Sequence, residues 1–396
     1  MSTVHIDRLL ETAVRTGATD LCASSGESAA LVIDGRLRRL ETKPLTATDV
    51  LALIRAILPK EHQGELEQTG RVLFSFSFGE KARFRCAACA HSRGHALLLR
   101  MQPTKPRTFE ELGLPPIIRR LCHRPCGLFL MAGRGGSGRT GIVATCVDYI
   151  NRNKDVRIVT LERPIEYVHS SQRGLVIQRE VGVHVPTFVA GIEQARRDGA
   201  DVLVVGELED DETIRAAVQA AGQRCLVFGT MYARSAARAV ARLTAAHGGT
   251  EPTEHAHAVS TNLLAALVGE LCSRLGAGGL VPAYEFLVNT PAVSELIYAG
   301  RLDQLDLAIQ TGKQYGMQLL DEHLFALYEG GTIAAEEAVE HARRPAEMQR
   351  RVEQTGRGSG EPDTPAEPDD GGDPSPSPAR PKPPPPGLSA ESEGES

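Results

Sequence analysis

A short glycine-rich run, Gly133 to Thr140 (GRGGSGRT), carries the clearest chemical pattern in this chain. Glycines let successive backbone N–H groups turn toward phosphate oxygens, and a helix that follows such a run adds the partial positive charge of its N-terminus. The run lies between a strand-like and a helix-like stretch, the context in which the pattern G-x-x-x-x-G-K-[ST] is informative. The alternative is an ordinary glycine-rich turn. The predicted phosphate-binding residues are Gly133, Gly135, Gly136, Ser137, Gly138, Arg139 and Thr140.

The last two residues of the run matter most for catalysis. Thr140 can place its hydroxyl on Mg²⁺, as the pattern requires. Arg139 stands where the pattern has lysine. Lysine is a compact point charge, whereas arginine is larger, planar and bidentate. We expect phosphate affinity to survive this change, but the transition state to be poorly matched, since small misplacements cost about a hundredfold in rate.

The stretches around the run indicate a parallel sheet. The short apolar runs GLFLMAG, VRIVTLE, DVLVVGE and CLVFGTM alternate with helical patterns from Cys126 onward. Such runs, without polar alternation, are typical of strands buried on both faces. Few aromatic residues (4%) and no Trp also favour α/β layers over a sandwich. After about Glu251 the pattern predicts helices, apart from the strand-like run LVPAYEFLV. The predicted fold class is α/β.

Composition divides the chain into four zones. Residues 1–105 predict an α+β domain, 106–125 a proline-marked connector, 126–352 the α/β domain with C-terminal helices, and 353–396 a disordered tail. Eleven of the 24 prolines lie in that tail. Its PARPKPPPP stretch is either a polyproline ligand or simply solvated.

Local signals in the first zone predict two helices and a hairpin. Apolar spacing indicates a helix at Ile6–Thr16 and a second from about Thr48 to Leu58. Thr46 and Asp49 form a cap-like pattern at the start of the second helix. The Asp34-Gly35 pair predicts a two-residue hairpin turn. The alternating run VLFSFSF predicts a half-buried strand.

Charge and apolar patterning exclude several classes of function. The net charge is −6, and the part from Arg357 onward, with nine acidic and three basic residues, accounts for all of it. A folded body with balanced charge is a poor nucleic-acid binder, so we expect no nucleic-acid partner. The sequence has no signal-like start and no apolar stretch of membrane-spanning length. We therefore expect a cytoplasmic protein, peripheral to a membrane at most.

The eight cysteines lack a regular framework and are read as reduced thiols. Cys86 and Cys89 with Cys122 and Cys126 superficially suggest zinc. In a strand, however, Cys86 and Cys89 would lie on opposite faces, so a zinc site built on them is disfavoured.

Ordered matches along the chain resemble the type II/IV secretion ATPases, and specifically the PilT-like retraction ATPases of type IV pili. Gly127 to Asp148 resembles their Walker A region. IVTLERPIEYVH resembles the aspartate box, DVLVVGELEDDETIRAAVQAA the Walker B region and LVFGTMYARSA the histidine box. GATDLCASSG and VIDGRLRRL are similar to the N-terminal domain, and AIQTGKQYGMQLLDEHL to the C-terminal region. The resemblance implies a RecA-like P-loop NTPase domain with a PAS-like N-terminal domain, ATP and Mg²⁺ as cofactors, a homo-hexamer, and pilus inner-membrane platform proteins as partners.

The resemblance also implies roles for individual residues. Glu162 matches a glutamate that helps to activate the attacking water, and Glu207 matches the Walker B glutamate that orients water or Mg²⁺. A surface acid is the alternative for Glu207, because four more acids follow within five positions. Arg85, Arg93 and Arg100 match arginines that face the neighbouring subunit's phosphates. Arg85 and Arg100 could equally be solvated strand charges.

Several positions depart from the family pattern. Arg139 replaces the lysine, Arg163 replaces the aspartate after Glu162, and Tyr232 replaces the histidine of the histidine box. Ala233 stands where threonine is expected next. The retraction motif AIRNLI has only AVSELI, residues 292–297, as its counterpart. Together these changes predict ATP binding with weak or lost hydrolysis, which is binding without transition-state stabilisation.

Three functions remain open on this basis. The chain is a motor ATPase, weak or fully active, or a non-catalytic partner of an active retraction ATPase within a hetero-oligomer. The third is a scaffold with a vestigial site whose proline-rich tail recruits other proteins.

Overall fold

A computed structural model describes residues 5–33, 36–249, 251–276 and 279–355. Its first sheet is antiparallel and has the order β3-β2-β1-β6-β5-β4. The strands are β1 (Asp20–Ser24), β2 (Ala30–Ile33), β3 (Arg36–Arg39), β4 (Arg71–Phe78), β5 (Ala82–His91) and β6 (Gly94–Gln102). The helices are α1 (Ile6–Thr16), α2 (Ala47–Ile57) and α3 (Gln63–Thr69). The buried faces of α1 and α2 pack on this sheet. The α+β prediction for this part of the chain is confirmed.

The local predictions for this domain also agree with the structure. Helix α1 has the expected bounds, and α2 lies one residue earlier than expected at each end. Thr46 and Asp49 form a reciprocal capping box at the start of α2. The Asp34-Gly35 turn lies outside the described residues, although Ile33 and Arg36 on either side of it are paired.

The second sheet has the order β13-β12-β7-β11-β10-β8-β9, in which only β13 runs antiparallel to its neighbour among the described strands. The strands are β7 (Gly127–Gly133), β8 (Arg157–Glu162), β9 (Leu175–Glu180), β10 (Val202–Val205), β11 (Leu226–Tyr232), β12 (Leu263–Ser273) and β13 (Leu280–Val288). Leu128 and Leu130 face one hydrophobic core, whereas Phe129 and Met131 face another. The sheet is therefore covered on both faces, and the α/β prediction is confirmed.

Helices cover this sheet and extend beyond it. They are α4 (Ile117–Cys122), α5 (Arg139–Asn153), α6 (Phe188–Arg197), α7 (Asp211–Ala221), α8 (Ala236–Ala245), α9 (Pro252–Asn262), α10 (Pro291–Tyr298), α11 (Leu305–Thr311), α12 (Leu320–Glu329), α13 (Ala335–His341) and α14 (Pro345–Gln354). The predicted connector contains α4. Most of the predicted tail, residues 356–396, lies outside the described part of the chain. No helix in the described ranges combines the length and apolarity needed to cross a bilayer.

The expectation that helices follow Glu251, with one strand among them, was wrong at β12. This strand continues directly from α9 and pairs in parallel with β7. Its run LLAALVGELCS is almost continuously apolar, and periodicity does not distinguish such a run from a buried helix. The edge strand β9 was not expected either.

Candidate functional site

The order of the second sheet brings the chemically important residues together. Parallel strands β7, β8, β10 and β11 end at the same edge. Gly133 is the register partner of Tyr232, and Leu161 that of Val205. The glycine-rich run, Glu162, Glu207 and Tyr232 therefore meet beyond the carboxyl ends of the strands, where ligands bind in open α/β sheets.

Glycine is required by geometry in the phosphate loop. Gly133 has φ +151° and Gly138 has φ +81°, both in the region that favours glycine. A Cβ on Gly133 would also lie 2.6 Å from the Gly269 carbonyl oxygen. Gly138 caps the N-terminus of α5, the 15-residue helix that begins at Arg139. The loop therefore ends at a helix N-terminus, which favours anion binding.

The surroundings of the Ser137 hydroxyl indicate whether a phosphate group fits this loop. It is only 3% exposed, yet its buried hydroxyl has no hydrogen-bond partner in the described structure. Buried polar groups are normally satisfied, so an unpaired hydroxyl at the base of the loop indicates a position for an external acceptor. The residues fit a phosphate group.

The departure at Arg139 is accompanied by a specific contact. Its guanidinium stacks over the Tyr232 ring at 4.0 Å from the centroid. Tyr232 is otherwise 62% exposed. A cation over an aromatic face at this distance is attracted by about 0.5–2 kcal/mol. Two of the departures from the family pattern are therefore partners of each other.

Arg163, the third departure, pairs with a predicted catalytic residue. Its Nη2 donates to Glu207 Oε2 at 2.9 Å. The guanidinium also lies 5.4 Å from the Phe188 ring centroid. The carboxylate expected to orient water or Mg²⁺ is thus held by a cation of the same chain.

Glu162 is largely buried and held in a polar cage. The Thr160 hydroxyl donates to Glu162 Oε1 at 2.6 Å, and Gln178 Nε2 donates to the same oxygen at 3.2 Å. Burial raises the pKa of Glu162 above its ordinary value, whereas these hydrogen bonds act in the opposite direction. A fixed carboxylate with a raised pKa is suited to accept a proton from water.

Glu162, Arg163, Glu207, Arg139 and Tyr232 line one open cleft of about 550 Å³. A smaller cavity of about 370 Å³ adjoins it and shares Thr140, Glu162, Gly206 and Thr230. Thr140 and Glu207 carry oxygen atoms of the kind that Mg²⁺ prefers as ligands. The charged and hydroxyl side chains at the cleft are Arg85, Arg139, Thr140, Glu162, Arg163, Glu166, Glu207, Glu209, Thr230 and Tyr232.

The three arginines predicted from the first domain lie in different places. Arg85 lines the cleft, and its Nη1 lies 2.7 Å from Glu166 Oε1. Arg100 is directly opposite Arg85 on β6, but it pairs with Asp20 at 2.8 Å. Arg93 lies at the β5–β6 turn, 3.7 Å from Glu27. Contact of these arginines with a neighbouring subunit's phosphates stays a prediction, as do the catalytic roles of Glu162 and Glu207.

Sequence reasoning missed Arg83, which connects the two domains close to the cleft. Its Nε donates to the Glu166 carbonyl at 2.8 Å, and its Nη2 to the Ile165 carbonyl at 2.6 Å. A signal was present, because Arg83 and Arg85 alternate with buried residues in ARFRCAACA and so share a face. The same alternation places Cys86 and Cys89 on opposite faces, as expected.

Known proteins are similar to this chain over most of its length. A family model described as type II/IV secretion system protein matches residues 2–337. The type IV pilus retractation ATPase PilT of Pseudomonas aeruginosa is 37% identical over 342 residues, covering 86% of this chain and 99% of that protein. The twitching motility protein of Neisseria gonorrhoeae is 34% identical, covering 80% and 84%. The crystal structure of the pilus retraction motor PilT with bound ADP superposes with a TM-score of 0.79 at 32% identity, covering 88% and 99%.

Proposed function

Because the chain belongs to the type II/IV secretion system protein family, and within it to the PilT-like ATPases, we propose that it is a nucleotide-binding motor ATPase of type IV pili with weak or lost hydrolysis. ATP with Mg²⁺ is its proposed ligand. The proposed assembly is a homo-hexamer, or a hetero-oligomer with an active paralogue. It would act on pilus platform proteins at the cytoplasmic face of the inner membrane. The observation that carries the loss of hydrolysis is the Arg163–Glu207 ion pair.

Nucleotide binding follows from the phosphate loop. Its backbone N–H groups, the unpaired Ser137 hydroxyl and the N-terminus of α5 would hold the phosphates. The Thr140 hydroxyl and the Glu207 carboxylate would hold Mg²⁺, which supplies charge neutralisation at the transferring phosphoryl group. Arg139 stacks on the Tyr232 ring, so its guanidinium would divide its attraction between the ring and the phosphates.

Hydrolysis needs a water molecule held in line, and here the polar cage of Glu162 is intact. Thr160 and Gln178 fix the carboxylate that would accept the proton. By contrast, the negative charge of Glu207 is balanced by Arg163 while this ion pair persists. A guanidinium beside the phosphates, such as that of Arg163, would stabilise the bound ground state as well as the transition state. It would therefore add affinity without adding rate.

A non-catalytic regulatory role is the second candidate, and the Arg139–Tyr232 stack favours it. In this stack Arg139 of the phosphate loop contacts Tyr232, which stands where the family pattern has histidine. Such a subunit would bind nucleotide and complete a ring without turning over. A fully active motor is the remaining alternative, since Glu162 keeps its hydrogen bonds.

The test compares ATP binding and phosphate release in one set of proteins. Wild type should bind ATP with Mg²⁺ in calorimetry and release phosphate slowly. The double variant Arg139→Lys with Arg163→Asp should release phosphate at least about tenfold faster, because it restores a compact cation and frees Glu207. Adding Glu207→Gln should abolish that gain.

Arg197→Asp is the matched control, since it reverses an exposed arginine outside the cleft and should leave both measurements unchanged. Rapid turnover by wild type, no faster in the double variant, would establish a fully active motor. Absence of ATP binding in every protein would favour the third function, a scaffold with a vestigial site.

A further inference from the structure

A group of metal-binding side chains lies outside the nucleotide cleft, where α13 packs against the sheet. Cys272 is on β12, and Glu337 and His341 are on α13. One ligand atom from each lies within 4.8 Å of the other two. Glu337 and His341 are four residues apart on the helix, so they share one face and both reach the strand.

The spacing of two of these three ligand atoms fits a single small ion. Glu337 Oε1 lies 3.4 Å from His341 Nε2. Ligands about 2.0–2.3 Å from a tetrahedral Zn²⁺ lie about 3.3–3.8 Å from one another. Cys272 is 0% exposed, whereas Glu337 and His341 are only partly buried. An ion could therefore enter from the helix side and reach the thiol at the bottom.

The other nitrogen of His341 faces a carboxylate. Glu270 is two residues before Cys272 on β12, so both side chains lie on the same face of the strand. Its Oε2 is 3.8 Å from His341 Nδ1, which is buried and has no hydrogen-bond partner within the described residues. In protein metal sites a histidine ligand typically presents its second nitrogen to such a carboxylate, which orients the ring.

We propose that Cys272, Glu337 and His341 bind one Zn²⁺-like transition-metal ion, with Glu270 orienting His341 and a fourth position open to water. A thiolate with an imidazole selects a borderline-soft ion such as Zn²⁺ over Mg²⁺ or Ca²⁺, which take oxygen ligands. On binding, the S–H bond of Cys272 breaks and its proton passes to solvent. The competing interpretation is a polar cluster without metal, in which Glu337 only accepts from the Ser273 N–H.

The ion would connect the C-terminal helices to the sheet at a position coupled to the phosphate loop. Glu270 is buried, and its other oxygen lies 3.3 Å from Nε of Arg134 in that loop. The proposal does not depend on ATP hydrolysis or on nucleotide binding, so its failure would leave the proposed function untouched.

Cobalt titration of the reduced, chelator-treated full chain tests this directly. Co²⁺ should give a thiolate charge-transfer band that saturates at one ion per chain and disappears when Zn²⁺ is added. Cys272→Ser should abolish the band, and His341→Gln or Glu337→Gln should weaken binding more than about tenfold. Zn²⁺ should raise the melting temperature of wild type but not of these variants.

Cys225→Ser is the matched control, because Cys225 is equally buried but outside the cluster. It should keep the band. The proposal is overturned if wild type shows no band, or if the band survives Cys272→Ser. If Cys272→Ser fails to fold, the proposal is tested with His341→Gln and Glu337→Gln, which change partly exposed positions on α13. Unchanged Co²⁺ affinity in both variants would overturn the proposal.

Discussion

Three residues that depart from the family pattern in this chain contact one another or a predicted catalytic group. Arg139 stacks on Tyr232, and Arg163 is paired with Glu207. The sequence predicted that these positions matter but not that they meet, because the partners are far apart along the chain. A single reversion is therefore a poor probe: Arg163→Asp alone would leave Arg139 in place on Tyr232, and Arg139→Lys alone would leave Glu207 paired with Arg163.

The buried Glu162 carboxylate should make stability depend on pH. Burial raises its pKa in the folded chain, so the folded state binds this proton more tightly than the unfolded state. Its contribution to stability is complete in acid and is lost as the pH rises through the raised pKa. Glu162→Gln does not titrate. The free energy of unfolding of this variant, relative to wild type, should therefore increase from mildly acidic to neutral pH.

Urea unfolding of both proteins across this pH range measures the difference. Glu209→Gln, at an exposed position on the rim of the cleft, is the control for removing a carboxylate. A difference between Glu162→Gln and wild type that stayed constant or fell as the pH rose would contradict the role of burial.

At the scale of elements, local signals predicted what local interactions decide. The Thr46–Asp49 capping box and the alternation in β5 are encoded within a few residues, and both were read correctly. β12 was not predicted as a strand, because its apolar run becomes a strand only through pairing with β7. The glycine-rich run indicated the phosphate loop, but the Arg83 contacts with residues 165–166 join two elements that no spacing rule relates.

Arg83 should hold the segment after β8 in place. It donates to two carbonyls of that segment and, at 2.7 Å, to the Ser77 hydroxyl. Lysine cannot reproduce this planar set of bonds. Arg83→Lys should therefore cost about 2–4 kcal/mol of stability and speed amide hydrogen exchange at Ile165 and Glu166.

Exchange measured by mass spectrometry, on peptides covering that segment, gives the outcome. Arg71→Lys is the matched control, since Arg71 is an exposed arginine on the neighbouring strand β4. If both variants left the exchange of residues 165–166 at the wild-type rate, Arg83 would not position this segment.

At the scale of the whole molecule, a few buried polar contacts join the parts around the second sheet. Glu285 on β13 is 0% exposed and accepts from the Ala236 N–H, at the start of α8, at 2.6 Å. Its other oxygen accepts from Arg343, between α13 and α14, at 2.7 Å. Arg343 also pairs with Asp306 on α11 at 3.0 Å. One carboxylate thus connects the sheet, the helix that follows Tyr232 and the C-terminal helices.

Removing the arginine from this junction should be costly because it leaves Glu285 buried without a counter-charge. Arg343→Ala should lower the free energy of unfolding by about 3–5 kcal/mol, seen as a lower urea midpoint. Adding Glu285→Gln should recover most of the loss, since glutamine removes the buried charge and still accepts from the Ala236 N–H. Arg344→Ala, at a side chain 64% exposed, should change stability by less than about 0.5 kcal/mol. Equal effects of Arg343→Ala and Arg344→Ala would mean that the C-terminal helices are held by apolar packing alone.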